Sequence, residues 1–306
     1  PAIDIKIQND YAYLANYNDG LKIFDISNPL LPAETGSVLT YGTARGITLS
    51  SNYALLSDVY GLSIIDISDP SLPVELGNCE TMGSAYESTV IGNLACISDF
   101  SGGMRIIDFS DPEDPIEVGA YYMQGESYGV DVVGNLAYLA NWSDGLVIID
   151  ISNPELPNKI GQATFGSIDG VHVIGNFAYV VYLYSIGIID VSDPSNPIEV
   201  SEFTPSGICM ELTIDGDYAY IANHDNGLCV VDISDPYNPT EIGRCSNIGR
   251  TWNVDKEGDF VYVVTSGTSM KIIDVSDPST PSAIGTYATP GFGEDVAVKG
   301  NYAYVA

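Results

Sequence analysis

A five-residue motif, Asp-[Ile/Val/Phe]-Ser-[Asp/Asn]-Pro, opens at Asp25, Asp66, Asp108, Asp150, Asp190, Asp232 and Asp274, at intervals of 40 to 42 residues. A second proline follows each motif proline by three residues, from Pro29 and Pro32 through to Pro278 and Pro281. These pairs take up fourteen of the 17 prolines in the chain. Self-similarity at a fixed period means one supersecondary unit repeated, each copy covering the faces of its neighbours.

Each copy reads as four strands. Residues 130–133 form a short first strand, and Gly134-Asn135 a turn. Residues 136–140 form a second, and residues 141–145 a hairpin loop. Residues 146–150 form a third, nearly all apolar and β-branched, as befits a strand buried on both faces. After the Ser152-Asn153-Pro154 turn, the more polar residues 158–164 make an outer strand. Four strands in about 42 residues is the pattern of a propeller blade. The expected fold is all-β, a β-propeller of four-stranded antiparallel blades forming one domain over residues 1–306.

Strand counting sharpens this. The first two strands occur eight times, from residues 3–7 with 11–14 to residues 296–298 with 302–305, whereas the last two occur seven times. Eight blades with an incomplete eighth is the preferred reading, and seven blades plus a hairpin is the alternative. The missing strands are expected from chain upstream of residue 1 or from a neighbouring subunit, because an unpaired edge is a template for another strand. The start at Pro1 and the end inside a strand suggest trimming at both ends.

Composition narrows the partners. Asp and Glu total 41 against 10 Lys and Arg, a formal charge of −31. Nucleic acid is excluded, since affinity for phosphate backbones rests on Lys and Arg. Anionic membrane surfaces are disfavoured for the same reason, and no apolar run is long enough for a spanning helix. Basic proteins, cations, glycans and further copies of the chain stay open as partners.

The third-strand runs Leu146-Val-Ile-Ile-Asp150, Leu21-Lys-Ile-Phe-Asp25, Leu62-Ser-Ile-Ile-Asp66, Met104-Arg-Ile-Ile-Asp108 and Leu228-Cys-Val-Val-Asp232 resemble the LVIVD repeat family over essentially the whole chain. Its members are bacterial and archaeal surface proteins, mostly of unassigned function. Tyr138-Leu-Ala-Asn141 and Tyr220-Ile-Ala-Asn223 are similar to the YVTN surface-layer propellers. The resemblance implies an extracellular or cell-surface setting and carries no catalytic residues with it.

Candidate sites follow from comparing the copies. The repeated Asp-x-Ser-[Asp/Asn]-Pro offers many oxygens to calcium, the one cofactor considered, but matches no calcium-loop spacing. Asp and Ser bonding turn amides, with proline fixing φ, is the simpler account. Two histidines, His172 on an inner strand and His224 in a loop, give a metal site or catalytic triad little material. Asn141-Trp142-Ser143 is a lone glycosylation sequon. Cys229 and Cys245 lie symmetrically about a hairpin centred near residue 237 and are expected opposite each other, within disulfide reach.

One set of loops is nearly identical from copy to copy, while the other diverges and is rich in aromatics. The second-to-third-strand loops contribute Tyr17, Tyr60, Phe100, Trp142, Tyr184 and His224. The connections between blades contribute Arg45, Tyr86, Tyr128, Met210, Trp252 and Phe292. An aromatic surface of this kind suits a glycan or protein partner. The expected function is therefore non-enzymatic binding or scaffolding through the divergent loops. A self-assembling surface-layer or filament subunit is one alternative. A propeller hydrolase or lyase with an axial metal, held by inner-strand residues such as Asp131, His172 or Asp255, is the other.

Overall fold

The computed structural model describes residues 2–306 except 165, 183, 268 and 290. Among the described residues are thirty strands and no helix. They form seven four-stranded antiparallel sheets in sequential order and one two-stranded sheet. These are blades 1 (residues 4–38), 2 (44–80), 3 (88–121), 4 (127–163), 5 (168–203), 6 (211–245) and 7 (251–288), with an incomplete eighth over residues 296–305. The protein is thus a β-propeller of seven full blades and part of an eighth, as the strand count predicts.

The chain divides into two compact units, residues 1–180 with 190–198, and residues 181–189 with 199–306. The division falls within blade 5. In the first unit, blades 1 to 4 stack in series through buried apolar clusters. Leu21 and Ile23 of blade 1 meet Ile47, Leu56 and Ile65 of blade 2. Leu55, Leu62 and Ile64 of blade 2 meet Ile97 and Ile107 of blade 3. Met104 and Ile106 of blade 3 meet Leu139, Val147 and Ile149 of blade 4. Successive residues of one strand thus serve opposite neighbours, which is why the second and third strands are apolar at nearly every position. Each such Leu or Ile contributes about 1.5–3 kcal/mol on full burial. In the second unit the same alternation joins blade 6 to blade 7, and blade 7 to Val296 of the eighth.

The repeated motif is a turn and a staple together. In all seven copies the Asp Oδ1 accepts the backbone N–H of the Ser two residues on, at 2.8–2.9 Å. The proline pair then lies against the outer strand of the preceding blade, where a glycine stands. A Cβ at Gly36, Gly77, Gly119, Gly161 or Gly243 would meet carbonyl or ring atoms of the next blade's motif, such as Pro154 O for Gly119. Blade 5 has Ser201 at this position, and its hydroxyl donates to Pro236 O at 2.6 Å. At Gly285 of blade 7, which faces no further proline pair among the described residues, the nearest atom is Ile272 Cδ1 at 3.3 Å.

Inner strands are joined by a second device. Asp4 Oδ2 accepts the N–H of Ile47 at 2.9 Å, and Glu87 Oε2 that of Val130 at 3.1 Å. Asp131 Oδ2 accepts from Val173 at 2.8 Å, and Asp255 Oδ2 from Val298 at 2.7 Å. Two of the carboxylates weighed above as metal ligands, Asp131 and Asp255, thus bond a neighbouring blade's backbone.

The expected Cys229–Cys245 pairing is corrected by a β-bulge. The register of their strands shifts between Val230 and Val231, so Cys229 stands opposite Arg244 and Cys245 opposite Leu228. A one-residue offset sends the two side chains to opposite faces of the sheet. Both are free and buried, as are Cys79, Cys96 and Cys209. The same bulge recurs between third and fourth strands in blades 1, 2, 3, 4 and 7.

Candidate functional site

The divergent loops are built on strained but well-anchored backbone. Tyr17, Phe100 and His224 have left-handed φ values of 49°, 41° and 33°. Each carbonyl accepts the N–H of the first residue of the next blade, from Ala44, Ser127 and Thr251, at 3.0 Å. These bonds make isolated bridges Tyr17 to Ala44, Phe100 to Ser127 and His224 to Thr251. A non-glycine residue at positive φ costs energy, and here the cross-blade bond holds it in place.

In the first unit, five of the sequence-derived candidates form one continuous ladder across blades 2, 3 and 4. The Arg45 guanidinium lies 4.2 Å from the Tyr86 ring centroid. Tyr86 stacks on Phe100 at 5.5 Å and meets Tyr128 edge-on at 5.1 Å. Phe100 also meets Tyr128 edge-on at 5.5 Å, and Tyr128 meets Trp142 at 6.3 Å. These geometries are the favoured offset and edge-to-face arrangements. The Tyr128 hydroxyl donates to Glu126 Oε2 at 2.8 Å. Burial, then this carboxylate, pushes its pKa up to about 12, so it remains a donor. Trp142 ends the ladder 48% exposed, leaving half its surface for contact.

The other candidates stand apart from this ladder. Tyr60 pairs with Tyr41, a residue the loop comparison missed, at 5.1 Å. Tyr17 is exposed. In the second unit His224 meets Trp252 edge-on at 5.4 Å. Its Nδ1 lies 3.2 Å from Asp225, which accepts from Arg250 Nε at 2.6 Å. The Arg250 hydrogen bond holds the Asp225 carboxyl below its usual range. Tyr184 and Phe292 are exposed, and Met210 is partly buried against the blade 6–7 core. The sequon asparagine, Asn141, is fully buried. Its Oδ1 accepts the N–H groups of Ser143 and Asp144, and its Nδ2 donates to Ser127, so this amide closes the loop and is no accessible glycan acceptor.

Sequence reading also missed a buried ion cluster in blade 3. Arg105 and Asp99 are fully buried, with Arg105 Nε 3.1 Å from Asp99 Oδ2 and Nη1 3.3 Å from Glu117 Oε1. The Tyr122 ring covers the guanidinium at 4.4 Å. In the sequence Arg105 stands out only as a member of the third-strand run Met104–Asp108. Among the described residues no group of three or more His, Cys, Asp or Glu side chains is placed to hold a metal ion, and no helix is long and apolar enough to cross a membrane.

No curated protein matches this sequence. Among solved structures, a computationally designed protein, Ika8, superposes with a TM-score of 0.81 at 10% identity, over 99% of this chain and 92% of that one. BamB from Moraxella catarrhalis gives 0.75 at 12% identity, over 99% and 90% of the two chains. Apo AztD from Citrobacter koseri gives 0.67 at 14% identity, over 95% and 87%. At such identities the likeness concerns the fold alone. The sequence itself is more specific. The LVIVD repeat matches eight consecutive segments, residues 1–40, 41–81, 82–122, 124–164, 165–204, 206–247, 248–289 and 290–306, and the chain belongs to the LVIVD repeat family.

Proposed function

We propose that this protein is a non-enzymatic binding or scaffold propeller of the cell surface or extracellular space, and that it engages a protein or glycan through its divergent loops. The observation that carries this reading is the ladder Arg45–Tyr86–Phe100–Tyr128–Trp142. It is a preorganised run of rings ending in a half-exposed tryptophan, the kind of rigid amphipathic surface that contributes most to recognition. Family membership supports the setting. The bonding of Asp131 and Asp255, each oxygen of which already accepts one backbone N–H, favours binding over axial metal chemistry, because such carboxylates have less capacity left for a metal or a substrate.

The chain has two tryptophans, so Trp252→Phe leaves Trp142 as sole reporter. Titration of that variant with a panel of cell-surface polysaccharides and peptides should give a saturable change in Trp142 emission. Tyr128→Ala should abolish it. Absence of any saturable change across the panel, or steady product release from a panel polysaccharide, would argue against the reading. A second reading is self-assembly, in which the strand Tyr302–Val305, paired among the described residues with Val296–Lys299, adds a strand from a second copy. Scattering mass measured across a wide concentration range separates the two. A constant monomer mass disposes of assembly.

A further inference from the structure

Blades 2 and 3 carry the same buried nest, and only one copy is filled. In blade 3, Thr81 donates to Asp99 Oδ1 at 2.6 Å and the Gly83 N–H donates to Oδ2 at 2.9 Å. Arg105 enters between Asp99 and Glu117 and is capped by the Tyr122 ring. Blade 2 repeats this frame one period earlier. Asp58 stands for Asp99, Thr40 for Thr81 and Gly42 for Gly83. Glu75 stands opposite Ile65 as Glu117 stands opposite Ile107. The residue at the position of Arg105 is Ser63, opposite Asn78.

Where the arginine is missing, a cavity of about 280 Å³ opens, lined by Asp58, Ser63, Asn78 and Glu80 beside the rings of Tyr41 and Tyr60. Two polar atoms of the nest, one hydroxyl and one carboxylate oxygen, are left over. Glu75 Oε1 and Thr40 Oγ1 are buried without a hydrogen-bond partner. Asp58 is 3% exposed. It accepts the Tyr60 and Gly61 N–H groups, and among the described residues no side-chain cation pairs with it. Burial accordingly raises its pKa. Unsatisfied buried polar atoms are rare in folded proteins, and two of them belong to the residues that correspond to Thr81 and Glu117 of the filled nest.

We propose that this blade 2 pocket binds a guanidinium group, supplied by an arginine side chain of a partner chain. The molecule's own blade 3 is the template, with a guanidinium between two carboxylates under an aromatic ring. Arginine fits such a nest better than lysine, because its planar fork donates to two acceptors at once and stacks on rings. A chain of charge −31 also draws basic partners to its surface.

The test uses the whole chain and calorimetric titration with acetyl-Gly-Arg-Gly-amide, its lysine and citrulline analogues, and methylguanidinium. The arginine peptide should saturate one site, about tenfold or more tighter than the lysine peptide. The citrulline peptide, isosteric but uncharged, should not saturate. Ser63→Arg supplies the guanidinium in cis and should abolish binding, with circular dichroism and melting reporting that it stays folded. Tyr41→Ala, a change at an exposed residue, is a second variant and should weaken the arginine peptide several-fold.

Equal binding of the citrulline peptide, or full binding by a folded Ser63→Arg, would overturn the site. So would failure of the arginine peptide to bind. Methylguanidinium binding as tightly as the peptide would overturn its assignment to a partner chain. This arm reads the blade 2 pocket and Trp142 emission reads the ladder, so the two proposals fail separately.

Discussion

The two ends of each blade are made of the same strands, yet they spend their sequence differently. At the motif end, Asp, Ser and the proline pair recur in all seven full blades because each atom has a fixed partner. The Asp accepts its own turn's N–H, and in five of the seven copies the prolines lie on the previous blade's glycine. At the loop end a backbone bond to the next blade recurs at Tyr17, Phe100 and His224, while the side chains differ from blade to blade. The fold is secured at one end, and the side chains are free to vary at the other.

The sharpest way to break that contrast is at the glycine under a proline pair. Gly119→Ala puts a methyl into the Pro154 carbonyl, and neither backbone can retreat without parting two blades. A loss of about 2–4 kcal/mol is expected in urea unfolding, in the range of overpacked cores. Gly285→Ala, which faces only the flexible end of Ile272, should stay within about 0.5 kcal/mol. Similar losses at both sites would mean the proline staple is not what fixes the motif end.

Of comparable size, but at the loop end, is the buried ion cluster. Arg105→Ser turns blade 3 into a copy of blade 2, leaving Asp99 buried without its cation. Removing one partner of a buried pair costs about 3 kcal/mol. Methylguanidinium added to that variant should restore part of the loss, and a loss that it leaves untouched would mean packing, not charge, is at stake.

Ser201 offers a smaller test. It replaces the glycine and bonds Pro236 O directly. Ser201→Gly restores the common sequence yet removes a hydrogen bond, so a destabilisation of about 1 kcal/mol is expected. A stabilised variant would show that the glycine fit outweighs the bond.

How much of this was legible beforehand follows from the same contrast. The period, the four strands and the incomplete eighth blade could be read because alternation and turn chemistry are local. The loop end was legible only as a set of residues. Tyr86, Phe100, Tyr128 and Trp142 gather in one ladder, while Tyr60 of the same unit pairs with Tyr41 instead, and no spacing encodes that. The Cys229–Cys245 expectation failed through a single bulged residue, Glu241 and Gly243 facing Val231 and Val230 with one position between them. Arg105 was hidden for another reason. In the run Met104-Arg-Ile-Ile-Asp108 one charge looks like a solvated position, and only the cross-strand register brings Glu117 and Asp99 to it.

The smallest effect is a difference in the sign of a pH response. Asp25, Asp232 and Asp274 at the motif end are held below the usual carboxylate range by the hydroxyl and N–H of Ser27, Ser234 and Ser276. A depressed folded pKa gives stability that is present above the unfolded value, near 3.8, and lost as pH falls through the folded one. Asp58 at the loop end runs the other way. Burial raises its pKa, so its contribution is complete below the unfolded value and lost as pH rises through the raised one. Unfolding free energies measured from pH 7 down to 3 should therefore show Asp58→Asn gaining on the wild type at neutral pH, with the gap closing on acidification. Asp274→Asn should lose its difference from wild type only below about pH 4. Parallel profiles for the two variants would mean that the two ends do not differ in how they hold a carboxylate. Opposite slopes would tie the emptiness of the blade 2 nest to a measurable cost, since the filled nest of blade 3 sets Arg105 against its buried carboxylate and that of blade 2 has no such cation.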